Sequence, residues 1–185
     1  MSLILWITAG ITLLAVYFFN SLVSLKIRAR NAWADVDVQL KRRYDLIPNL
    51  LEVVKGYAAH EKGLFERVAE LRSRAAGTAG VRDKAAPEAE FTGALSSLLA
   101  VVENYPDLKA DGQFLNLQKN LAAIENDLSF ARRYYNAVVR DFNTMTRQFP
   151  QNLIAVMFRF TPLDFFEVGA DERAPVKVDL GKGTT

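Results

Sequence analysis

The sequence contains no cysteine, a single histidine and no charged side chain before Lys26. Without cysteine the chain has no disulfide, no thiolate nucleophile and no cysteine-ligated zinc or iron–sulfur site. One imidazole is too few for metal sites that need two histidines on one helix face. The 23 Lys and Arg nearly balance the 21 Asp and Glu, and a net charge of +2 does not indicate a nucleic-acid partner. These absences weigh against catalysis and direct attention to location and architecture.

The uncharged start of the chain is long enough to cross a membrane. Residues 3–19 read LILWITAGITLLAVYFF, and the uncharged stretch continues to Leu25. About 20 mostly apolar residues, at about 1.5 Å each, span the hydrocarbon core of a bilayer. We therefore predict a transmembrane anchor over residues 1–25, with residues 3–25 in contact with the lipid bilayer. The alternative is a cleaved signal peptide, which requires a basic start and a shorter apolar core, whereas only Met1 and Ser2 precede the apolar run here and the basic residues come after it.

The first charges after this stretch are all positive, at Lys26, Arg28 and Arg30. Basic residues next to a membrane span stay preferentially on its cytoplasmic side. The sequence thus predicts a single-pass protein of the inner (cell) membrane. Its N-terminus is expected outside, and the remainder of the chain in the cytoplasm.

The rest of the chain has the apolar spacing of helices and no strand-like alternation. The clearest helix is predicted from Asp111, a favourable N-cap residue, to Pro150. Its apolar residues are separated alternately by three and four positions over five heptads, which is typical of a seam in a left-handed coiled coil. They are Phe114, Leu117, Leu121, Ile124, Leu128, Ala131, Tyr135, Val138, Phe142, Met145 and Phe149.

Two earlier helices are separated by a proline. The first is predicted to continue from the membrane to near Ile47, because Pro48 lacks an N–H and its ring clashes with the preceding turn. The second begins there, with Asp45 near its N-cap, and reaches about Ala75. Its apolar face is interrupted at residues 60–61.

Residues 76–89, rich in Ala and Gly, are predicted to be a loop. A third helix follows and is stopped by Asn104 and Pro106. The predicted fold class is all-α: an N-terminal transmembrane helix that continues into an antiparallel four-helix bundle of long, coiled-coil-like helices over residues 26–168. A short helix and an aromatic hook are expected after Pro150, and residues 169–185 are expected to be a disordered tail.

Four stretches of the sequence follow one another in a recognisable order. They are AW at 32–33 with DVQLKRRYDLIPNL at 37–50, VKGYA at 54–58 with HE at 60–61, ENYPDLK at 103–109, and EN at 125–126 leading to Arg132, Tyr135, Asn136, Asn143, Phe149 and Pro150. In this order they resemble the LemA family of bacterial membrane-anchored proteins, over residues 3–168. The resemblance implies an N-terminal anchor and a soluble antiparallel helical bundle. It implies no enzyme activity, cofactor or substrate, and it suggests a link to envelope processes.

His60 and Glu61 are the residues that most suggest a metal site. A zinc protease would need a second histidine four positions on, where the chain has Leu64. A di-iron carboxylate bundle would need a glutamate three positions before the histidine, where the chain has Tyr57. We therefore predict no catalytic, cofactor-binding or metal residue and no cofactor. His60 and Glu61 are expected to form hydrogen bonds within the bundle that fix its helix register.

Three other groups of residues leave two interpretations open. The basic run Lys41–Arg43 is either a solvated helix face or a contact for an acidic partner or lipid. Asn136 and Asn143, seven positions apart, either form internal hydrogen bonds or line a partner-binding strip. An aromatic cluster either folds over the end of the bundle as core or inserts into a membrane or a partner groove; it comprises Phe158, Phe160, Phe165 and Phe166.

The function predicted from these features is that of a non-enzymatic, membrane-anchored adaptor or scaffold, whose bundle presents a surface to a membrane or envelope protein. The alternative is a membrane-organising protein that acts through self-association as a homo-oligomer. No nucleic-acid partner is expected. The candidate partner surface lies at two helix ends that we expect to be near each other, and it comprises Gln39, Arg42, Arg43, Asp45, Asn49, Asn104, Tyr105, Asp107 and Lys109.

Overall fold

The computed structural model describes residues 1–167, and this part of the chain is helical with no strand. The all-α class is therefore confirmed. The tail predicted at 169–185 lies outside the described residues. The helices are α1 (Ser2–Tyr57), α2 (Lys62–Gly77), α3 (Val81–Val102), α4 (Pro106–Ala110), α5 (Gly112–Met145) and α6 (Gln151–Met157).

The first helix, α1, is one unbroken rod of 56 residues, about 84 Å long. Residues 1–14 are exposed on every side, and the first buried residue is Leu22. Among the helices of residues 1–167, α1 alone is long and apolar enough to cross a membrane, judged by length and composition. The N-terminal helix predicted from the uncharged start is thus present, and it continues without a break into the packed part of the chain.

Pro48 does not end the first helix, and the predicted boundary at Ile47 is wrong. A proline at position 48 cannot donate to the carbonyl oxygen of Tyr44, four residues earlier. That oxygen instead accepts a hydrogen bond from Nε of Arg72 on α2, at 2.6 Å. A side chain from the neighbouring helix therefore replaces the backbone donor that the proline removes, and α1 continues to Tyr57.

The chain turns between α1 and α2 where the sequence shows an interrupted apolar face, at His60 and Glu61. His60 is exposed in this turn. The backbone carbonyl of Glu61 accepts from the N–H groups of Leu64 and Phe65 at 3.0 and 3.2 Å, which begins α2. The two residues thus form a turn through their backbone, and the prediction of side-chain hydrogen bonds inside the bundle is wrong.

The loop predicted at residues 76–89 is also wrong, because α3 already begins at Val81. The connection is only Thr78–Gly80, and Gly80 has a φ of 87°, which glycine adopts without the steric cost of a side chain. The alanines that follow are strong helix formers. The inner face of this part of α3 carries the buried side chains of Lys84 and Glu88 in place of large apolar residues.

The long helices α1 and α5 pack against each other along most of α5. At one end the hydroxyl of Tyr57 donates to the Asp111 carboxylate at 3.0 Å, and further along the rings of Trp33 and Tyr135 are 5.4 Å apart. Residue numbers fall on one helix as they rise on the other, so this pair is antiparallel. The second main pairing joins α2 to α3.

The N-cap predicted for α5 is confirmed. The Asp111 carboxylate accepts from the N–H groups of Gln113 and Phe114, each at 2.8 Å. The predicted seam faces inward along α5, with Leu117, Ala131 and Met145 half-buried at its edges. Phe149, beyond the end of the helix, is 79% exposed and departs from the pattern.

After α6 the chain folds back along α5 as a hook that two asparagines hold. Asn143 forms a pair of hydrogen bonds with the backbone of Leu163, at 2.8 and 2.9 Å. Asn136 does the same with the backbone of Phe166, at 2.9 and 3.1 Å. Of the two interpretations left open for Asn136 and Asn143, the structure shows the internal hydrogen bonds. The aromatic cluster divides, since Phe166 is buried and Phe160 half-buried, while Phe158 and Phe165 remain exposed.

Candidate functional site

The most unusual feature inside the protein is a buried ion cluster of Arg43, Tyr44, Glu88 and Glu125. Arg43 lies on the inner face of α1 and is 2% exposed, and Glu88 faces it from α3 at 1%. One terminal nitrogen of Arg43 pairs closely with Glu88, and the other reaches the two carboxylate oxygens of Glu125 on α5 at 3.0 and 3.3 Å. The cluster therefore ties three helices together through one guanidinium group.

The remaining contacts of the cluster satisfy both oxygens of Glu88. The hydroxyl of Tyr44 donates to one oxygen, while Arg43 occupies the other. Desolvation raises the pKa of Glu88 above its usual range, and the nearby positive charge of Arg43 opposes that change. Burial also raises the pKa of Tyr44, and the hydrogen bond from its hydroxyl to Glu88 raises it further. Because both oxygens of Glu88 already accept hydrogen bonds from α1, the cluster is arranged to hold helices in place.

A second buried charge lies one turn away on α3. Lys84 is 5% exposed, and its Nζ donates to the Asp37 carboxylate of α1 at 3.2 Å and to the backbone carbonyl of Thr78 at 3.1 Å. Beneath the cluster, the guanidinium of Arg43 lies 4.9 Å from the ring centre of Phe91, a cation–π distance. Each charged group thus has a partner on another helix.

A cavity of about 150 Å³ lies beside the cluster, lined by Arg43, Glu88, Ser129 and Phe166 among others. Sites for small molecules and cofactors usually enclose about 300–1,000 Å³. This space suits a few ordered water molecules at the polar wall. Among residues 1–167, no group of three or more His, Asp or Glu side chains is placed to hold a metal ion.

The predicted partner surface is divided by the structure. Arg43 points into the core and is not on the surface at all. Its neighbour Arg42 is exposed, lies 3.7 Å from Asp127 of α5, and donates to the side chain of half-buried Gln39 at 3.1 Å. Asp45 is exposed on the same part of α1.

The second half of that surface lies at the far end of α1. Asn104, Asp107 and Lys109 are exposed and Tyr105 is half-buried, in and before the short helix α4. The contact of Tyr57 with Asp111 places α4 near the last turn of α1. From Arg42 to that turn, 15 residues of helix measure about 22 Å. The two halves are therefore separate patches, and exposed Asn49 lies between them.

Tyr44, Lys84, Glu88 and Glu125 are not among the residues predicted from the sequence. The signal that could have identified Lys84 and Glu88 is their spacing, since they continue the inner stripe of α3 that Phe91 begins. A search for large apolar residues alone passes over them. Glu125 is half-buried on the flank of α5 and carries no comparable signal.

Comparison with known proteins gives one family. The LemA family model matches residues 32–180 of the chain. The magnetosome protein MamQ 2 of Paramagnetospirillum magneticum is 23% identical over 175 residues, covering 80% of this chain and 64% of that protein. MamQ of Magnetospirillum gryphiswaldense is 24% identical, with 90% and 69% covered. The protein LemA of Metamycoplasma hominis is 24% identical, with 85% and 72% covered. The chain thus spans somewhat less than two thirds of the first of these relatives.

Proposed function

The chain belongs to the LemA family, and from that premise we propose that it is a non-enzymatic adaptor or scaffold anchored in the inner membrane. Residues 3–25 are the anchor, and the helices that follow are the adaptor. Its partner is a membrane or envelope protein. The proposal assigns no catalytic residue and no cofactor.

The observation that carries this proposal is the continuity of α1. Its first 14 residues are exposed and almost entirely apolar, while Ala29, Val36, Leu40 and Ile47 on the same helix are buried in the core. No flexible joint separates the two halves from Ser2 to Tyr57. A bundle attached in this way is held at a fixed height above the membrane, as a presenting scaffold requires.

We propose that the four long helices α1, α2, α3 and α5 act as one antiparallel bundle. The contacts that support this are the bond from Arg72 to Tyr44 between α2 and α1, and the pair formed by Arg74 and Glu90 between α2 and α3. The buried ion cluster adds α3 and α5 to α1. A rigid bundle presents the same surface to every partner molecule.

The proposed orientation places this bundle in the cytoplasm. Lys26, Arg28 and Arg30 are exposed on α1 just after the apolar stretch, where positive charges disfavour export. Asp35 and Asp37, the first acidic residues, follow five and seven positions after Arg30. The N-terminus would then lie outside the cell membrane, with a single crossing.

The proposed contact surface is the exposed set Gln39, Arg42, Asp45 and Asn49, with a second patch at Asn104–Lys109. Arg42 is 57% exposed and Asp127, its neighbour, 54%. Exposed ion pairs contribute only about 0–1 kcal/mol to stability. Charge reversal at Arg42 should thus change the surface while leaving the fold intact.

Proximity labelling from the full-length protein in its own membrane tests the proposal. Arg42→Glu should reduce labelling of a specific membrane partner severalfold. Arg82→Glu, at another exposed arginine, on α3, should leave that labelling intact. Both variants should melt at the temperature of the natural protein. Identical labelling by all three proteins would contradict a partner contact at this patch, and labelling of the same partner by the anchor alone would contradict a role for the bundle.

Self-association is the second candidate, favoured by an exposed aromatic pair on α5. Phe130 and Tyr134 are 65% and 52% exposed, one helical turn apart, and the guanidinium of Arg133 lies 4.6 Å from the Phe130 ring centre. Co-capture of two differently tagged copies from one membrane tests it. Phe130→Ala with Tyr134→Ala should abolish co-capture, whereas Leu115→Ala, at an exposed leucine of the same helix, should not. Equal co-capture by both variants would exclude this face as the contact.

A further inference from the structure

A second uncharged apolar segment lies near the other end of the chain. No charged side chain occurs from Gln148 to Phe158, and arginines flank the segment at 147 and 159. Its centre is the seven-residue helix α6. Like the N-terminal anchor, the segment is uncharged and is followed by a basic residue, and it also has an arginine on its N-terminal side.

After its first two residues, the half-buried Gln151 and Asn152, α6 carries apolar side chains on both faces. On the inner face, Ile154 and Ala155 are buried against Leu22 of α1 and Phe142 of α5. On the outer face, Leu153, Val156 and Met157 are exposed, Val156 to 80%. The apolar residues Leu153–Met157 surround the rest of the helix, a pattern typical of elements buried in a protein core or in a membrane. Half of α6 is covered by protein, and the other half has no protein cover within residues 1–167.

The position of α6 along α1 is at the edge of the anchor. The ring of Phe158, directly after α6, lies 4.7 Å from that of Phe19, and Phe160 lies 5.9 Å from the same ring. A hydrocarbon core about 30 Å thick corresponds to about 20 helical residues, which end near Leu22 when counted from Leu3. The exposed face of α6 thus lies at the boundary between acyl chains and head groups.

Basic side chains surround this boundary. Arg28 and Arg140 line one groove together with Tyr17 and Gln148, on the side of α1 that faces the end of α5. The ammonium group of Lys26 lies 5.7 Å from the ring centre of Phe160. Asp141 is the acidic residue in the same groove. An apolar face bordered by positive charges matches the interface of a membrane that contains anionic lipids.

We propose that residues 148–158 are a second membrane-contacting element, which lies in the interface of the bilayer with the outer face of α6 against the acyl chains. The occupant of this apolar face is the lipid bilayer. The flanking arginines reach the phosphate groups, as long basic side chains do at membrane boundaries. This inference rests on the proposed anchor. A single helix leaves the tilt and rotation of a protein free, and a second contact beside it fixes both.

The absence of native cysteine makes a direct test possible. Single cysteines at Val156, at Ile4 and at Leu115 are labelled with one environment-sensitive dye. The full chain is then reconstituted into vesicles of phosphatidylcholine and phosphatidylglycerol. Leu115 is the matched control, an exposed leucine on α5 far from the anchor. A second reporter, Met157→Cys, repeats the measurement on the same face of α6.

The dyes at Val156 and Met157 should be quenched by brominated lipid severalfold more strongly than the dye at Leu115, and less by aqueous iodide. Iodide quenching at Val156 equal to that at Leu115 would overturn the proposal. Protection from iodide without quenching by brominated lipid would also overturn it, because protein would then cover the face. The dye at Ile4 tests the proposed anchor separately from the proposed contact of α6. If the dye at Ile4 is quenched by brominated lipid while the dye at Val156 is not, the anchor stands and only this inference fails.

Discussion

Arg43 illustrates how one buried side chain can determine which helices pair. Its guanidinium group meets Glu88 on one side and Glu125 on the other, so α1, α3 and α5 must be correctly aligned before the charge is neutralised. A misaligned bundle would leave that charge unpaired in the core, at a cost of several kcal/mol. The cluster therefore favours one alignment over its alternatives more than it adds net stability.

Removing Arg43 should be strongly destabilising. Arg43→Met leaves Glu88 buried without its countercharge, and we expect a loss of about 3–5 kcal/mol in the free energy of unfolding. The adjacent surface variant Arg42→Met should lose at most about 0.5 kcal/mol. Urea unfolding followed by circular dichroism measures both.

The double variant Arg43→Met with Glu88→Leu should recover part of that loss, because apolar side chains then replace the pair and Glu125 retains access to water, while the buried hydroxyl of Tyr44 loses its acceptor. If Arg43→Met were no more destabilising than Arg42→Met, the cluster would have no part in holding the helices.

At Asp111 a surface carboxylate links two helices, and its titration should be visible in stability. The backbone N–H of Phe114 and the hydroxyl of Tyr57 lower the pKa of Asp111 in the folded protein. Its contribution is therefore complete above the unfolded pKa of about 3.9 and is lost as the pH falls through the lower folded value.

Melting temperatures across the acid range test this in the natural protein and in Asp111→Asn. Asparagine caps a helix about as well as aspartate but does not ionise in this range. The natural protein should lose stability more steeply than the variant below about pH 4. Parallel curves would show that the folded and unfolded pKa values of Asp111 are alike.

At the scale of elements, α1 continues without a break past Pro48 because of a tertiary contact. Propensity alone ends the helix there, since proline removes a donor and disfavours the preceding turn. Arg72 comes from the neighbouring helix α2 and supplies the missing donor to the Tyr44 carbonyl. A local sequence rule is overruled by a contact that exists only once the two helices pack.

A double-mutant cycle isolates this contact. Arg72→Met should cost about 1–3 kcal/mol, because the Tyr44 carbonyl is left without a donor. When Pro48→Ala restores the backbone N–H, the same Arg72→Met change should cost markedly less. Arg67→Met, at an exposed arginine of α2, is the matched control and should be nearly neutral. Equal costs of Arg72→Met in both backgrounds would show that Arg72 acts elsewhere.

How much of each element could be predicted depends on which residues form its inner face. α5 was predictable because its seam is apolar from Phe114 to Phe142. The inner stripe of α3 is as regular, but it begins with two charged residues before it becomes apolar, at Lys84, Glu88, Phe91, Leu95, Leu98 and Val102. The start of α3 could not be recognised by hydrophobic pattern, because burial of those charges depends on partners from α1.

At the scale of the whole molecule, residues 1–167 contain two apolar clusters at different distances from the candidate membrane span. The larger holds α1 to the other helices from Ala29 to Ala58. The smaller joins Leu22 to α5 and α6 beside the anchor.

The candidate surface was only partly predictable from the sequence. Exposed Arg42 and buried Arg43 are neighbours in sequence, and only the packing of α3 and α5 distinguishes them.

Orientation is a property of the whole chain and can be tested with an impermeant maleimide. A cysteine at Ser2 should be labelled in intact cells, and a cysteine at exposed Asn120 should be labelled only after the membrane is permeabilised. The physical reason is the basic group at Lys26, Arg28 and Arg30. The opposite labelling pattern would place the bundle outside the membrane and would require a partner on that side.

The 56-residue helix α1 also acts as a lever. From Leu25 to Tyr57 it extends about 48 Å beyond the anchor. A membrane helix adapts to a thinner bilayer by tilting, and a tilt of about 20° would swing the far turn sideways by about 16 Å. In the proposed anchored arrangement, bilayer thickness would thereby set the lateral position of α4. If α6 fixes the tilt at the other end, it sets where the far patch of the protein can reach.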